Sequence, residues 1–219
     1  MNPHILRRPL LGMALVASLA LGGCGVNTIP TDRVAAQAAW GEVQNQYQRR
    51  SDLIPNLVQT VQGYAQQERG VLVDVTNARA KATQVQVNAS TITDPAAFQR
   101  FEQAQDELTG VLGRLMSINE RYPALKSDQN FLALQSQLEG TENRITIARR
   151  DYNQAVQTYN TELATFPGVL WAGTLYKSDK AMNMFAASSQ AQSAPQVNFN
   201  IAPPGGAAAP VAPGSAPPK

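Results

Sequence analysis

Residues 127–166 read SDQNFLALQSQLEGTENRITIARRDYNQAVQTYNTELATF, and this stretch decides the fold. Phe131, Leu134, Leu138, Thr141, Ile145, Ala148, Tyr152, Ala155 and Tyr159 follow one another at alternating spacings of three and four. Apolar positions at that spacing form one stripe on a helix packed lengthwise against other helices. No Pro interrupts it, and Gly140 falls off the stripe. Thirty-odd residues at helical rise make a rod of roughly 50 Å. A single helix cannot bury its own stripe, so the rest of the folded chain must line it. Phe166-Pro167-Gly168 stops the rod.

Working back from that rod, three more helices are expected. Asp94-Pro95 opens one with a capping acid and a Pro at the first helical position. Its stripe is Phe98, Phe101, Gln105, Leu108, Leu112, Leu115, Asn119 and Tyr122, ended by Tyr122-Pro123. Residues 68–86 carry a second stripe of Val71, Val75, Ala78, Ala82 and Val85, joined by the polar stretch 87–93. Residues 31–67 form the first helix, capped by Thr31 or Asp32, with Val34, Ala38, Trp40, Val43 and Tyr47 on its apolar face. Leu57, Val58, Val61, Tyr64 and Ala65 continue that face beyond Pro55, so Pro55 reads as a kink or restart rather than a domain boundary. The expected fold is all-α: an elongated antiparallel bundle of about four long helices over residues 31–185.

The two ends differ in kind. Arg7 and Arg8 precede an apolar run of thirteen residues, Pro9 to Leu21, too short for an ordinary membrane span. Leu21-Gly22-Gly23-Cys24 follows and resembles the lipobox of bacterial lipoproteins. That resemblance implies residues 1–23 as a signal peptide, cleavage before Cys24 and acylation of Cys24. The alternatives are an uncleaved anchor or a buried Cys. Two or three acyl chains would hold the chain stably on a bilayer. Residues 24–30 are then a tether. At the other end, residues 186–219 are low-complexity, and 203–219 hold six Pro, three Gly and one charge, Lys219. Such a tail cannot bury enough apolar surface to offset its ordering entropy, so it is expected to be disordered. Val197, Phe199 and Ile201 alternate within it and could add as a strand or dock in a groove.

Composition excludes several function classes. The formal charge is +2, and removal of Arg7 and Arg8 leaves sixteen cationic against sixteen anionic residues. Nucleic-acid binding needs clustered positive charge, so it is not an expected function. One Cys and one His give neither an internal disulfide nor a zinc cluster. His4 would leave with the signal and Cys24 would be acylated, which removes Ser-His and Cys-His catalysis. Glu139, Glu142 and Asp52 are the remaining candidates for acid-base work, against a solvated or ion-paired face. No cofactor is expected.

Two blocks carry a family resemblance. One is Gln46-Tyr47-Gln48-Arg49-Arg50-Ser51-Asp52-Leu53-Ile54-Pro55-Asn56-Leu57-Val58 with Val61-Gln62-Gly63-Tyr64-Ala65. The other runs from Glu120-Arg121-Tyr122-Pro123 through Asn130-Phe131, Thr141-Glu142-Asn143-Arg144-Ile145, Tyr152-Asn153 and Tyr159-Asn160 to Phe166-Pro167. Together, over about residues 30–185, they resemble the LemA family. The resemblance implies a bundle of long antiparallel helices, mostly outside the cytoplasm, usually behind a single N-terminal membrane helix. Here a lipobox stands in place of that span. The family implies no enzymatic activity, and it suggests an envelope membrane protein with a TPM domain as a partner.

The expected function is therefore a membrane-anchored, non-enzymatic scaffold or interaction protein of the cell envelope, facing the extracytoplasmic side. The alternative is a ligand- or peptide-binding module using the bundle seam or the apolar segment 169–185. Asn56, Asn143, Asn153 and Asn160 sit beside stripe positions, where Asn fixes helix register or lines a polar groove for a peptide. Trp171 and Tyr176 belong to an apolar segment without clean period, a bundle cap or a binding surface. Arg49, Arg50, Arg144, Arg149 and Arg150 are expected to pair with Glu139, Glu142 and Asp151 rather than form a basic patch.

Overall fold

A computed structural model describes residues 25–85 and 90–186. Cys24, the signal segment and the tail from residue 187, with its 196–201 alternation, lie outside the described residues. The helices are α1 (Thr28–Tyr64), α2 (Arg69–Gln84), α3 (Pro95–Ser117), α4 (Pro123–Lys126), α5 (Gln129–Ala164) and α6 (Gly168–Thr174). Among the described residues there is no strand. Two long rods of 37 and 36 residues, α1 and α5, run antiparallel. Trp40 meets Tyr152, Arg50 meets Glu142 and Tyr64 meets Asp128, so numbers rise on one rod as they fall on the other. Helices α2 and α3 are likewise antiparallel, with Asp74 on Arg114 and Lys81 on Glu107.

Local signals explain the boundaries. Asp94 Oδ1 accepts from the Ala96 and Ala97 amides at 2.9 and 3.2 Å, with Pro95 at the first helical position. Asp128 caps α5 through the Phe131 amide at 2.8 Å. That bond, helped by the Tyr64 hydroxyl, holds the Asp128 carboxyl below its usual range. Neither Thr31 nor Asp32 caps α1, which starts at Thr28 inside the expected tether. Pro30 falls in its first turn, where an amide donor has no helical partner to lose. Gly168 is required at the sharp turn into α6, because a Cβ there would collide with the Glu162 carbonyl.

The helix α1 runs unbroken through Pro55, neither restarting nor ending there. Pro55 removes the donor that would serve the Ser51 carbonyl four residues back. Arg79 of α2 supplies the replacement: its Nε donates to Ser51 O at 2.9 Å. The defect in one helix has become a tie to the next.

The buried stripe of α1 is Ala36, Trp40, Val43, Tyr47, Arg50, Ile54, Leu57 and Val61, with spacings of four and three throughout. The expected face at Val34 and Ala38 is exposed instead. Ala38 lies two residues from both Ala36 and Trp40, so about 200° around the helix from each. On α5 the stripe holds as far as Tyr152 and then takes Val156, fully buried, where Ala155 was expected. The change is confined to one position, because Tyr159 is again buried where the three-and-four spacing places it. Past the end of α3 the buried position is Ile118 where Asn119 was expected, as the chain tightens to a 3-10 turn over Ile118–Glu120, and Tyr122 packs partly buried on the core. Leu72 rather than Val71 is the buried residue at the start of α2.

The core has two halves. An aliphatic half takes Ile54, Leu57 and Val61 of α1, the α2 stripe, the end of α3 and Phe131, Leu134 and Leu138 of α5. An aromatic half takes Trp40 and Tyr47, Phe98 and Phe101, Tyr152 and Tyr159, and Phe185. Between them lie Arg50, Ser51, Gln105 and Thr141, all buried. Arg50 is 1% exposed. Its Nη1 donates to Thr109 Oγ1 at 2.8 Å and Glu142 Oε1 at 2.6 Å. Its Nη2 donates to Gln105 Oε1 at 2.7 Å and Gln105 O at 3.3 Å. The guanidinium also lies 5.1 Å from the centre of the Tyr47 ring.

These ties can be tested by substitution. Glu142→Ala strands a buried cation and should cost about 3 kcal/mol, the low end for breaking a buried pair, because water reaches the half-exposed carboxylate. Arg50→Met, which removes the charge with its partner's need, should cost less; the reverse order in denaturant unfolding would show that the pair is a surface-type bridge. Arg79→Met should cost about 1–3 kcal/mol by orphaning the Ser51 carbonyl. The same change in a Pro55→Ala background should cost less, because the alanine amide restores the helical donor; equal costs in both backgrounds would break the link between Pro55 and Arg79.

Candidate functional site

The aromatic half of the core is closed by a segment with no regular secondary structure. Helix α2 ends at Gln84, short of this half, and residues 182–185 run along α5 in the space left open. Two asparagines hold them. Asn153 donates from Nδ2 to Phe185 O and accepts from Phe185 N, both at 2.9 Å. Asn160 does the same to Met182 O and Met182 N, again at 2.9 Å each. A side-chain amide presents one donor and one acceptor edge, the same pair a neighbouring strand offers. Each Asn therefore acts as a one-residue strand.

The spacing explains why two such clamps fit one segment. Asn153 and Asn160 are seven residues apart, about 10.5 Å along a helix. Met182 and Phe185 are three apart, about 10 Å along an extended chain. Numbers fall from 160 to 153 as they rise from 182 to 185, so the segment runs antiparallel to α5. Tyr152 Oη donates to Asn183 O at 2.7 Å. Asn183 donates from its amide and its Nδ2 to Ile92 O, at 2.7 and 2.9 Å, which joins the segment to the 3-10 turn Thr91–Thr93.

Phe185 fills an aromatic socket. Its ring centre lies 4.9 Å from Phe98, 5.5 Å from Tyr152, 6.0 Å from Trp40 and 6.5 Å from Phe101. The Arg149 guanidinium covers the outer side at 4.3 Å and pairs with Glu102 at 3.6 Å. Burial raises the Tyr152 hydroxyl well above its ordinary range. Burial, with Asp179 near and Arg33 opposing, pushes Tyr159 up to about 12. Both phenols stay neutral donors at physiological pH. The arrangement grips an extended backbone and one aromatic side chain, and here the chain's own residues occupy it.

The structure brings together Asn153 and Asn160 but not the other two asparagines. Asn56 is exposed on α1, and Asn143 is exposed on α5. Asn143 lines an open groove of about 530 Å3 with Leu112, Met116, Leu138 and Glu142. Trp171 and Tyr176 pack against the aromatic half from α6 and its end. The Tyr176 hydroxyl donates to Val26 O at 3.0 Å, fixing the chain just before α1. The carboxylates considered for acid-base work have separate partners: Glu139 accepts from Gln135, Asp52 from Gln48 and Glu142 from Arg50. Arg150 pairs with Asp151 as expected, whereas Arg149 pairs with Glu102. Among the described residues no cluster of His, Cys, Asp and Glu is placed to hold a metal ion. The sequence reading named the segment 169–185 without singling out Asn183 or Phe185, and it expected Arg149 to pair with Glu139, Glu142 or Asp151 rather than to cover Phe185. The available signal was the seven-residue spacing of Asn153 and Asn160 on one flank of the α5 stripe.

Hydrogen exchange tests the clamps one at a time. Asn153→Ala should release the Phe185 amide and Asn160→Ala the Met182 amide, each at a cost of about 1–3 kcal/mol. Amides in the aliphatic half should keep their protection. If Met182 and Phe185 exchange slowly in both variants, the asparagines do not hold the segment.

The profile of the LemA family matches residues 39–199. The chain is 27% identical over 173 residues to magnetosome protein MamQ 2 of Paramagnetospirillum magneticum (strain ATCC 700264 / AMB-1), covering 71% of this chain and 63% of that protein. It is 24% identical over 171 residues to magnetosome protein MamQ of Magnetospirillum gryphiswaldense (strain DSM 6361 / JCM 21280 / NBRC 15271 / MSR-1), with 71% and 63% covered. It is 24% identical over 140 residues to protein LemA of Metamycoplasma hominis (strain ATCC 23114 / DSM 25592 / NBRC 14850 / NCTC 10111 / PG21), covering 64% of this chain and 60% of that one. The matched region thus spans less than two thirds of these relatives' length. With the family profile covering most of the chain and the two-rod helical bundle on the page, the chain belongs to the LemA family.

Proposed function

We propose that this protein is a membrane-associated, non-enzymatic scaffold of the cell envelope, held to the bilayer by acyl chains on Cys24 and facing the extracytoplasmic side. The observation that carries the reading is where the chain joins the bundle. Gly25, the residue after Cys24, sits against α6: a Cβ on it would lie 3.3 Å from Pro167 Cγ and 3.8 Å from Trp171 Nε1. A lipid on Cys24 would be coupled to a rod of two long helices through almost no slack, which is what a positioning device needs. Among the described residues no helix is long and apolar enough to cross a membrane. In this reading the run Pro9–Leu21 directs the chain to the membrane and leaves with the signal, and Cys24 of the lipobox carries the anchor. An envelope membrane protein, such as one with a TPM domain, is the partner class this reading takes.

A second reading is favoured by the double asparagine clamp. A groove that holds residues 182–185 by their backbone can hold an extended strand from a partner once that segment leaves, which makes the same bundle a peptide-binding module.

Mass spectrometry of protein extracted from native membranes tests the anchor. The mature chain should begin at Cys24 and carry acyl mass, and Cys24→Ala should appear as uncleaved precursor or leave the membrane fraction. An unacylated wild-type chain would sink the reading.

A further inference from the structure

The eleven residues from Phe166 to Tyr176 carry no charge. Several of them turn outward: Phe166 is 79% exposed, Leu175 63%, Leu170 54% and Val169 44%. Val169, Leu170 and Gly173 share one face of α6, and Phe166 and Leu175 stand just outside its two ends. The opposite face is used inside, where Trp171 and Ala172 pack on the aromatic half of the core. So α6 is a helix with a buried face and an equally apolar outer face, at one end of the bundle. Scattered exposed apolar residues are ordinary, but a contiguous uncharged patch marks a contact surface.

Its surroundings say what covers it. The chain before α1 lies directly against this helix, through Gly25 on Pro167 and Trp171 and through Val26 O on Tyr176. Directly upstream of Gly25 is Cys24, the residue that carries the acyl chains in the anchor reading. Residues 25–31 are uncharged as well. Just past the patch stand two exposed cations, Lys177 and Lys180. Of the acids nearby, Asp179 is taken by Arg33 at 2.8 Å and the Glu162 carboxylate lies against Gly168 at the start of α6. An apolar face beside exposed lysines is the pattern of a surface that rests in the headgroup layer of an anionic bilayer.

We infer that the outer face of α6, together with the flanking exposed Phe166 and Leu175, sits in the bilayer surface, Lys177 and Lys180 meeting anionic headgroups, so that the bundle stands on this end. This rests on the proposed anchor and adds an orientation to it. Removing the lipid alone should therefore not remove every membrane contact, and removing the patch should leave the protein attached but free to pivot.

The test uses the full chain, purified from membranes and reconstituted in vesicles of equal parts phosphatidylcholine and phosphatidylglycerol. An environment-sensitive fluorophore is placed at Leu170→Cys, Leu175→Cys or Leu132→Cys; Leu132 is also half-exposed but lies at the far end of α5. Doxyl-labelled lipid should quench the first two labels about two-fold or more and leave the third unchanged. Leu170→Asp in the Leu175→Cys chain should lose that quenching while the protein still floats with the vesicles. If the chain floats but neither patch label is quenched, the orientation is wrong and the anchor stands. Energy transfer between labelled copies without lipid quenching would mean that a second copy covers the face, which also overturns the inference. Equal quenching at Leu132 would mean that the bundle lies flat and would overturn it too. If the chain does not float at all, the anchor reading falls and takes this one with it.

Discussion

A charge buried in the middle of the helical seam governs how this bundle assembles. Arg50 occupies a position that the spacing of α1 assigns to an apolar residue, and the neighbouring helices arrange acceptors around it. Burying a guanidinium demands partners for its hydrogens, and here Nη1 and Nη2 find them while Nε has none. Four contacts come from Thr109, Gln105 and Glu142, on α3 and α5. A slide of α1 by one turn would move the guanidinium about 5.4 Å and lose them all. Apolar stripes are forgiving about such slides, since one Leu packs much like the next. The polar layer of Arg50, Ser51, Gln105 and Thr141 is not, and it sets one register for α1, α3 and α5.

The layer also separates two kinds of packing. On the aliphatic side four helices meet, and Leu, Val and Ala suffice to fill the space. On the aromatic side α2 has ended, and three helices leave a gap too wide for aliphatic side chains. Rings fill it, and the segment 182–185 replaces the missing helix. An extended segment brings unpaired backbone groups with it, which a helix would have satisfied internally. Asn153, Asn160 and Tyr152 answer that need. The asparagines thus follow from the topology: a short α2 demands a filler, and a filler of extended chain demands amide partners at its own repeat.

Much of this could be read in the chain beforehand. The four long helices, the Asp94 cap and most of the α3 and α5 stripes follow from spacing and turn chemistry, whereas the Asp128 cap was not read and Asp32 caps nothing. The start of α1 did not, because Val34, Ala35, Ala36, Ala38 and Ala39 are all apolar and hydropathy does not choose Ala36 among them; further along, the stripe passes through Arg50, which a reading by hydropathy leaves out. The exchange of Ala155 for Val156 is confined to one position, since Tyr159 keeps its place, and spacing alone does not choose between two apolar neighbours. Asn153 and Asn160 stood out in the sequence, but their partner did not. Residues 182–185 have no period, and what fixes them is a gap that exists only once α2 has stopped short. The outward apolar face of α6 was visible as composition, while its nearness to Gly25 is purely tertiary.

Pro55 shows how local defects in this chain are made into long-range ties. An interior Pro leaves a carbonyl without its helical donor, and the usual remedies are a kink or a water. Here the orphan is Ser51 O, next to Arg50 and on the same side of the rod. Arg79 reaches it from α2, so the donor that α1 lacks is supplied by the helix it must pack against. The two arginines divide the labour. Arg50 fixes α1 against α3 and α5, and Arg79 fixes α1 against α2, one residue further along. Both act at the level where the aliphatic and aromatic halves meet. A change in either half must therefore pass through a layer whose hydrogen bonds allow one arrangement, and that is how a bundle with such different ends behaves as one body.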